Sequence, residues 1–297
     1  MDENNIAQFG KGCFIKEDVR DYSFGATTHF DWTQPIIFNI PNFPISNQNG
    51  SLSCVAQSAM TMAKIFYFQR QMVLQDFSAR FIYSQIFIPV SGGAYLRDGV
   101  ATLLKRGIQL NVTCPSEPQT ESHMRDTTDL NFNEASKYDI YPDDYAYASV
   151  PCNIDAVATA IRDNTCVMLG VKGSNATWTQ AIVKPGNDWQ HAIVGVGVEV
   201  IGGKKYIRFI NSWSDKWADR GTGLLSEDYF DSGNVVAAYI VTTNFIKTNM
   251  LTQEEVNLFY DIEGLSKDDS GRSYWVGKPT LEMLKTRKED LKKIINS

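Results

Sequence analysis

Gln48-Asn49-Gly50-Ser51-Leu52-Ser53-Cys54-Val55-Ala56 is the stretch on which the reading of this chain turns. From Ser53 to about Phe68 the apolar positions Val55, Ala59, Met62, Ala63 and Phe66 recur at helical spacing, with Ser51 or Ser53 available as N-cap. That places Cys54 at a helix N-terminus, where backbone N–H groups and the helix dipole favour a thiolate. A nucleophilic thiol also needs a base, and the chain has three histidines, His29, His123 and His191.

Strand patterning selects among them. Val198-Glu199-Val200-Ile201 and Tyr206-Ile207-Arg208-Phe209 flank Gly202-Gly203, the arrangement of a β-hairpin. Folding about those glycines carries position 191 onto about position 214, so His191 and Asn211 are expected to be neighbours. An Asn carbonyl accepting from one ring nitrogen fixes the tautomer and turns the other nitrogen to the thiol. A tetrahedral oxyanion would be met by the Cys54 backbone N–H together with a neutral amide such as Gln48, six residues upstream.

Taken jointly and in order, these motifs resemble the papain family of cysteine proteases. The stretch Gln48 to Ala56 is similar to that around the family nucleophile, and Gln190-His191-Ala192 to its histidine motif. Asn211-Ser212-Trp213, followed by Trp217 and Gly221, resembles the family's Asn-Ser-Trp motif, and Ser91-Gly92-Gly93 its substrate-groove glycine pair. The resemblance runs from about Ile45 to Thr243. It implies an α+β fold of two lobes, a helical left lobe and a β-barrel-like right lobe, with the active-site cleft between them. It further implies a cysteine endopeptidase acting on a protein or peptide through a Cys54-His191-Asn211 triad and a thioester acyl-enzyme, with Gln48 as oxyanion donor. Gly92, Gly93, Ala94, Tyr95, Gln190 and Trp213 would contact substrate, and no cofactor or metal is required.

The departures from the family pattern are local. Val55 stands where the family usually has Trp, and Leu52 and Ser51 replace a Gly and a disulfide-forming Cys. Gln190 replaces a common acidic neighbour, and Ser214 a Gly. In place of a long helical prosegment, residues 1–44 read as an extended arm or short prosegment, with Pro35, Pro41 and Pro44 arguing against helix. Some family members carry a short prosegment whose cysteine bonds the catalytic sulfur, which makes Cys13 a candidate regulatory latch on Cys54.

Elsewhere, helices are expected over Ser78 to Ile86, Leu96 to Arg106 and Asn153 to Arg162. Strands are expected over Val167 to Val171, Ala192 to Val200, Tyr206 to Ile210 and Val235 to Val241. Between Asn111 and Tyr147 the chain is polar and aperiodic, which suggests a long surface loop or a bridge between lobes. The peptidase domain would thus span residues 45–246. Residues 247–297 form an extension ending in an amphipathic helix with Leu281, Leu284, Leu291 and Ile295 on one face, to be buried on the protease's own surface, by docking a partner or by covering the cleft.

Composition bounds the alternatives. With 297 residues, 43% hydrophobic, the chain can bury two modest lobes. Its 28 basic and 34 acidic residues give a net charge of -6, which disfavours nucleic acid as a partner. Met1-Asp2-Glu3-Asn4-Asn5 lacks the basic and apolar regions of a secretory signal, and the apolar run Ala192 to Val200 is too short to span a bilayer. Five cysteines without a C-x-x-C pair fit a reducing compartment and no zinc site. A cytoplasmic or virion-associated location follows as an expectation. The competing function is a catalytically silent papain-like module that binds a peptide or serves virion assembly.

Overall fold

The computed structural model describes residues 12–16, 21–24, 29–139 and 145–243. The chain divides into two units, Met1–Phe245 and Ile246–Ser297. The second unit, with the amphipathic helix expected there, lies outside the described residues.

In chain order the elements are strands β1 (Cys13–Phe14) and β2 (Tyr22–Ser23), then helices α1 (Cys54–Gln71) and α2 (Ala79–Ile86). Strand β3 (Ala94–Tyr95) leads into helix α3 (Leu96–Arg106), followed by the one-turn helices α4 (Glu121–Met124) and α5 (Phe132–Ala135). Strand β4 (Ala146–Ser149) and helix α6 (Ile154–Asn164) precede β5 (Val167–Gly173), β6 (Ile182–Val183), β7 (Trp189–Ile201), β8 (Lys204–Ile210) and β9 (Thr222–Ser226). Helix α7 (Glu227–Asp231) and strand β10 (Val235–Thr242) complete the described fold. The α+β division into a helical half and a sheet half therefore holds. The large sheet has the order β2-β4-β10-β5-β7-β8-β9-β6. Its edges β2 and β6 do not pair with each other, so it is an open sheet and not a closed barrel.

Strand β7 explains how the halves meet. Ala192, Val194 and Val196 enter the core built by α1, α2 and α3, while Ile193 and Val198 enter the core of α6 and the sheet. Because both faces are covered, the strand is a near-continuous apolar run without polar alternation. Each fully buried Leu or Ile in these cores contributes about 2 kcal/mol from burial.

Local chemistry sets the helix starts. Ser78 caps α2 by accepting from Phe81 N–H at 3.0 Å, and Asn153 caps α6 by accepting from Ala156 N–H at 2.8 Å. Helix α1 differs from the expected serine cap: Ser53 occupies the N-cap position but accepts no backbone N–H with its side chain. Its hydroxyl is committed to Ser51 Oγ at 2.7 Å and Gln57 Nε2 at 3.2 Å. The first N–H groups of α1 therefore remain for another acceptor.

Two further expectations change. The aperiodic stretch after Asn111 is not a plain surface loop, since Cys114, Met124 and Ala135 are fully buried and pin it to the helical core. Anchors that far apart leave no period to detect. A bulge between Gly195 and Gly197 also slips the β7–β8 register by one residue.

Candidate active site

Cys54 opens α1 and is fully buried. Burial pushes its thiol up to about 12. The backbone amides of Ala192, Val55 and Cys54 act against that rise, while the charge of Glu121 adds to it. The uncapped start of α1 and the residue after His191 thus both favour the thiolate form.

His191 lies on β7 opposite Val171 of β5, and Asn211 directly follows β8. Nε2 of His191 is 2.8 Å from Asn211 Oδ1, which also accepts the Ser212 N–H at 2.8 Å. Two donors converging on one oxygen assign it as the amide carbonyl, so Nε2 carries the proton and Nδ1 the lone pair. Nδ1 is buried and has no hydrogen-bond partner among the described residues. Burial pushes the imidazole down to about 4, with the Asn211 bond acting in the opposite direction. Burial thus disfavours the charged form of both groups.

The register slip carries His191 toward Trp213, whose ring stacks on the imidazole at 4.8 Å with an interplanar angle of 28°. Behind it stands Trp178, 5.6 Å from Trp213, 5.0 Å from Trp189 and 6.0 Å from His191. Trp217 Nε1 donates to the Trp178 carbonyl at 3.0 Å. This aromatic wall keeps water from one side of the His191–Asn211 bond. Trp178 escaped the sequence reading because it sits in an irregular segment without periodicity.

Gln48 is buried and held from two sides. Its Nε2 donates to the Ser51 carbonyl at 2.8 Å, and its Oε1 accepts the Ser212 hydroxyl at 2.7 Å. The backbones join as well, with Gln48 N–H donating to the Ser212 carbonyl at 2.9 Å. Ser212, whose only signal was its place between Asn211 and Trp213, thereby ties the amide to the His191–Asn211 pair.

The glycine edge beside this constellation is covered by the chain's own arm. Strand β1 pairs in parallel with β3, Cys13 opposite Ala94 and Phe14 opposite Tyr95, and Ala94 N–H donates to the Gly12 carbonyl at 2.9 Å. Gly92 and Gly93 turn with φ of 70° and 68°. Gly12 passes so close to the Cys54 turn that a Cβ there would overlap the Leu52 carbonyl. Cys13 is buried in the same core as Cys54, and its thiol is held well above the usual range by burial and by Cys54. Gln190 is half-buried beside His191, opposite Lys172.

Of the other histidines, His29 is exposed and His123 is bonded through Nε2 to the Pro115 carbonyl at 2.9 Å. Among the described residues no group of three or more His, Cys, Asp or Glu is placed to hold a metal, and no helix is long and apolar enough to cross a membrane.

A family model for papain family cysteine proteases matches residues 26–240. Xylellain, a cysteine protease from Xylella fastidiosa, superposes with a TM-score of 0.66 at 19% identity, covering 79% of this chain and 96% of its own. Digestive procathepsin L 3 of the Tenebrio molitor larval midgut gives 0.60 at 13% identity, covering 81% and 77%. The bromelain protease from Ananas comosus, solved with the E64 inhibitor, gives 0.53 at 19% identity, covering 67% and 93%. At these identities the solved structures show a shared fold. No curated protein matches the chain.

Proposed function

Because the chain belongs to the papain family of cysteine proteases, hydrolases whose substrates are proteins or peptides, we propose that it is an endopeptidase with Cys54 as nucleophile, His191 as base, Asn211 as orienter and Gln48 as oxyanion donor. The observation that carries this reading is the state of His191. Asn211 holds Nε2, while Nδ1 keeps an unpartnered buried lone pair and the backbone amide of the next residue, Ala192, favours the Cys54 thiolate.

The chemistry then runs in two halves. His191 Nδ1 takes the Cys54 proton, and the thiolate attacks the peptide carbonyl carbon. The Cys54 N–H and the Gln48 amide meet the oxyanion, and the His191 imidazolium gives its proton to the leaving amine. Water, deprotonated by His191, then hydrolyses the thioester. Gly92, Gly93, Ala94 and Tyr95 form the edge along which the substrate lies, with Gln190 and Trp213 bordering the reacting groups. The silent-module alternative has no observation in its favour.

In this reading residues 1–44 are a short prosegment whose Cys13 and Phe14 lie on the edge substrate would use, and Cys13 is its latch. A disulfide oxidant such as oxidised glutathione would accept the two electrons and two protons released as Cys13 and Cys54 join, and a thiol reductant would reverse the step.

The direct test is turnover of fluorogenic dipeptidyl substrates by the full chain and by Cys54→Ala, each with and without reductant. Cys54-dependent turnover supports the assignment. A folded chain that neither turns over substrate nor reacts with a thiol-directed epoxide once the arm is displaced would overturn it.

A further inference from the structure

Glu121 lies on the one-turn helix α4 in the aperiodic stretch, yet both of its carboxylate oxygens are engaged at the cleft. Oε2 accepts the Leu52 N–H at 2.7 Å, two residues before Cys54. Oε1 accepts the Tyr83 hydroxyl at 2.7 Å and Arg125 Nε at 2.7 Å. Tyr83 is fully buried, and its oxygen accepts the Gly93 N–H at 2.8 Å. One continuous path therefore runs from Leu52 N–H through Glu121 and Tyr83 to Gly93. Its ends are the turn that carries the nucleophile and the glycine edge on which the arm lies.

The path is closely packed. A Cβ on Gly92 would come within 2.9 Å of Glu121 Oε1 and 2.7 Å of Arg125 Nη2, so the carboxylate and its counter-ion sit directly against the edge. All five cysteines are free, and Ser51 stands where the family carries a disulfide-forming cysteine, so no covalent brace supports the nucleophile turn. A charge-assisted bond is stronger than a neutral one, and a carboxylate can accept at both oxygens simultaneously.

Resting on the catalytic assignment above, we propose that Glu121 is a positioning residue that clamps the Cys54 turn to the Gly92-Gly93 edge, so that nucleophile and substrate backbone keep one register. Tyr83 is its arm toward the substrate edge, and Arg125 neutralises it from outside. Glutamate suits the role better than glutamine. An amide can accept from Leu52 with its oxygen, but its NH2 then faces the Arg125 guanidinium, donor against donor.

The experiment uses the full chain carrying Gly12→Val, which displaces the arm by overlap with Leu52, and measures kcat and KM for a fluorogenic peptide together with thermal melting. Tyr83→Phe, which breaks only the Gly93 end, raises KM about tenfold with kcat within about twofold. Glu121→Ala also lowers kcat, by about 10- to 100-fold, because the nucleophile turn is loosened too. Glu121→Gln recovers most of that kcat but retains the raised KM, and the Glu121→Ala/Tyr83→Phe pair is no worse than Glu121→Ala alone. If Glu121→Ala does not fold, Glu121→Gln and Tyr83→Phe carry the comparison. Folded variants at parental kcat and KM, or losses that simply add, overturn the clamp while leaving the peptidase standing. A folded parent that neither turns the peptide over nor reacts with a thiol-directed epoxide removes the catalytic assignment and the clamp with it.

Discussion

Cys13 pairs with Ala94 in a parallel bridge that continues directly from Gly92-Gly93, which sets a backbone strand of the arm against the glycine edge and a second buried thiol in the same core as Cys54. The arm is held by more than this pairing. Asp21 accepts the hydroxyl of Tyr239 at 2.9 Å and faces Arg97 at 3.3 Å, anchoring the arm to both halves of the fold. Cys54 at full burial is thus a covered thiol.

Release of the arm should uncover it. Gly12→Val cannot seat against the Leu52 carbonyl, because that contact is with backbone and does not yield. Alkylation of Cys54 by a haloacetamide, read by intact mass, should accelerate at least about tenfold over the wild type, since a local opening worth about 1.4 kcal/mol already changes its rate by that factor. Equal rates in the two chains would mean that the arm does not govern access.

Oxidation gives an independent reading of the same contact. Treated with oxidised glutathione, the wild type should lose the mass of two hydrogens and the reactivity of Cys54 toward a haloacetamide together, and recover both with reductant. Cys13→Ser should keep a reduced Cys54 under the same treatment or carry only a glutathione adduct. A Cys13–Cys54 cross-link absent from the digested wild type would remove the latch but not the strand pairing.

How much of this was legible in the sequence depends on the range of each interaction. Helix α3 matches its expected span Leu96 to Arg106, because amphipathic spacing is a local property. The His191–Asn211 encounter was also readable, since a hairpin about Gly202-Gly203 fixes it over twenty residues. The bulge that stacks Trp213 on His191 was not readable. It sits where Ile36, far upstream, bridges Val198, and no strand pattern encodes a partner that distant. Glu121, Ser212 and Trp178 likewise act through contacts formed only when the chain has folded, and a two-residue strand such as β1 is below the length at which alternation can be seen.

Oxyanion geometry makes a different demand on activity. In the arm-released chain, Gln48→Ala should lower kcat by about 100-fold with little change in KM, as expected when a donor acts on the developing oxyanion and not on the bound carbonyl. Ser212→Ala leaves Gln48 in place but frees its Oε1, and should cost about tenfold. Combining the two should add nothing to Gln48→Ala, because Ser212 works through that amide. A double variant with multiplied losses would assign Ser212 a separate function.

The burial of His191 should also appear in stability as a function of pH. Its folded value is about 4, below the ordinary 6.5, so between those limits the unfolded chain binds a proton that the folded chain does not. Stability contributed by keeping this ring neutral is therefore complete above about pH 6.5 and is lost as pH falls toward 4. The full loss is on the order of 3 kcal/mol, since each tenfold difference in proton affinity between the folded and unfolded chains corresponds to about 1.4 kcal/mol. The wild type and His191→Gln, which cannot titrate, are compared by urea unfolding at several pH values across this window. The difference between their unfolding free energies should change in favour of the variant as pH falls, by up to that amount. Parallel curves would show that His191 binds its proton as strongly in the folded chain as in the unfolded one.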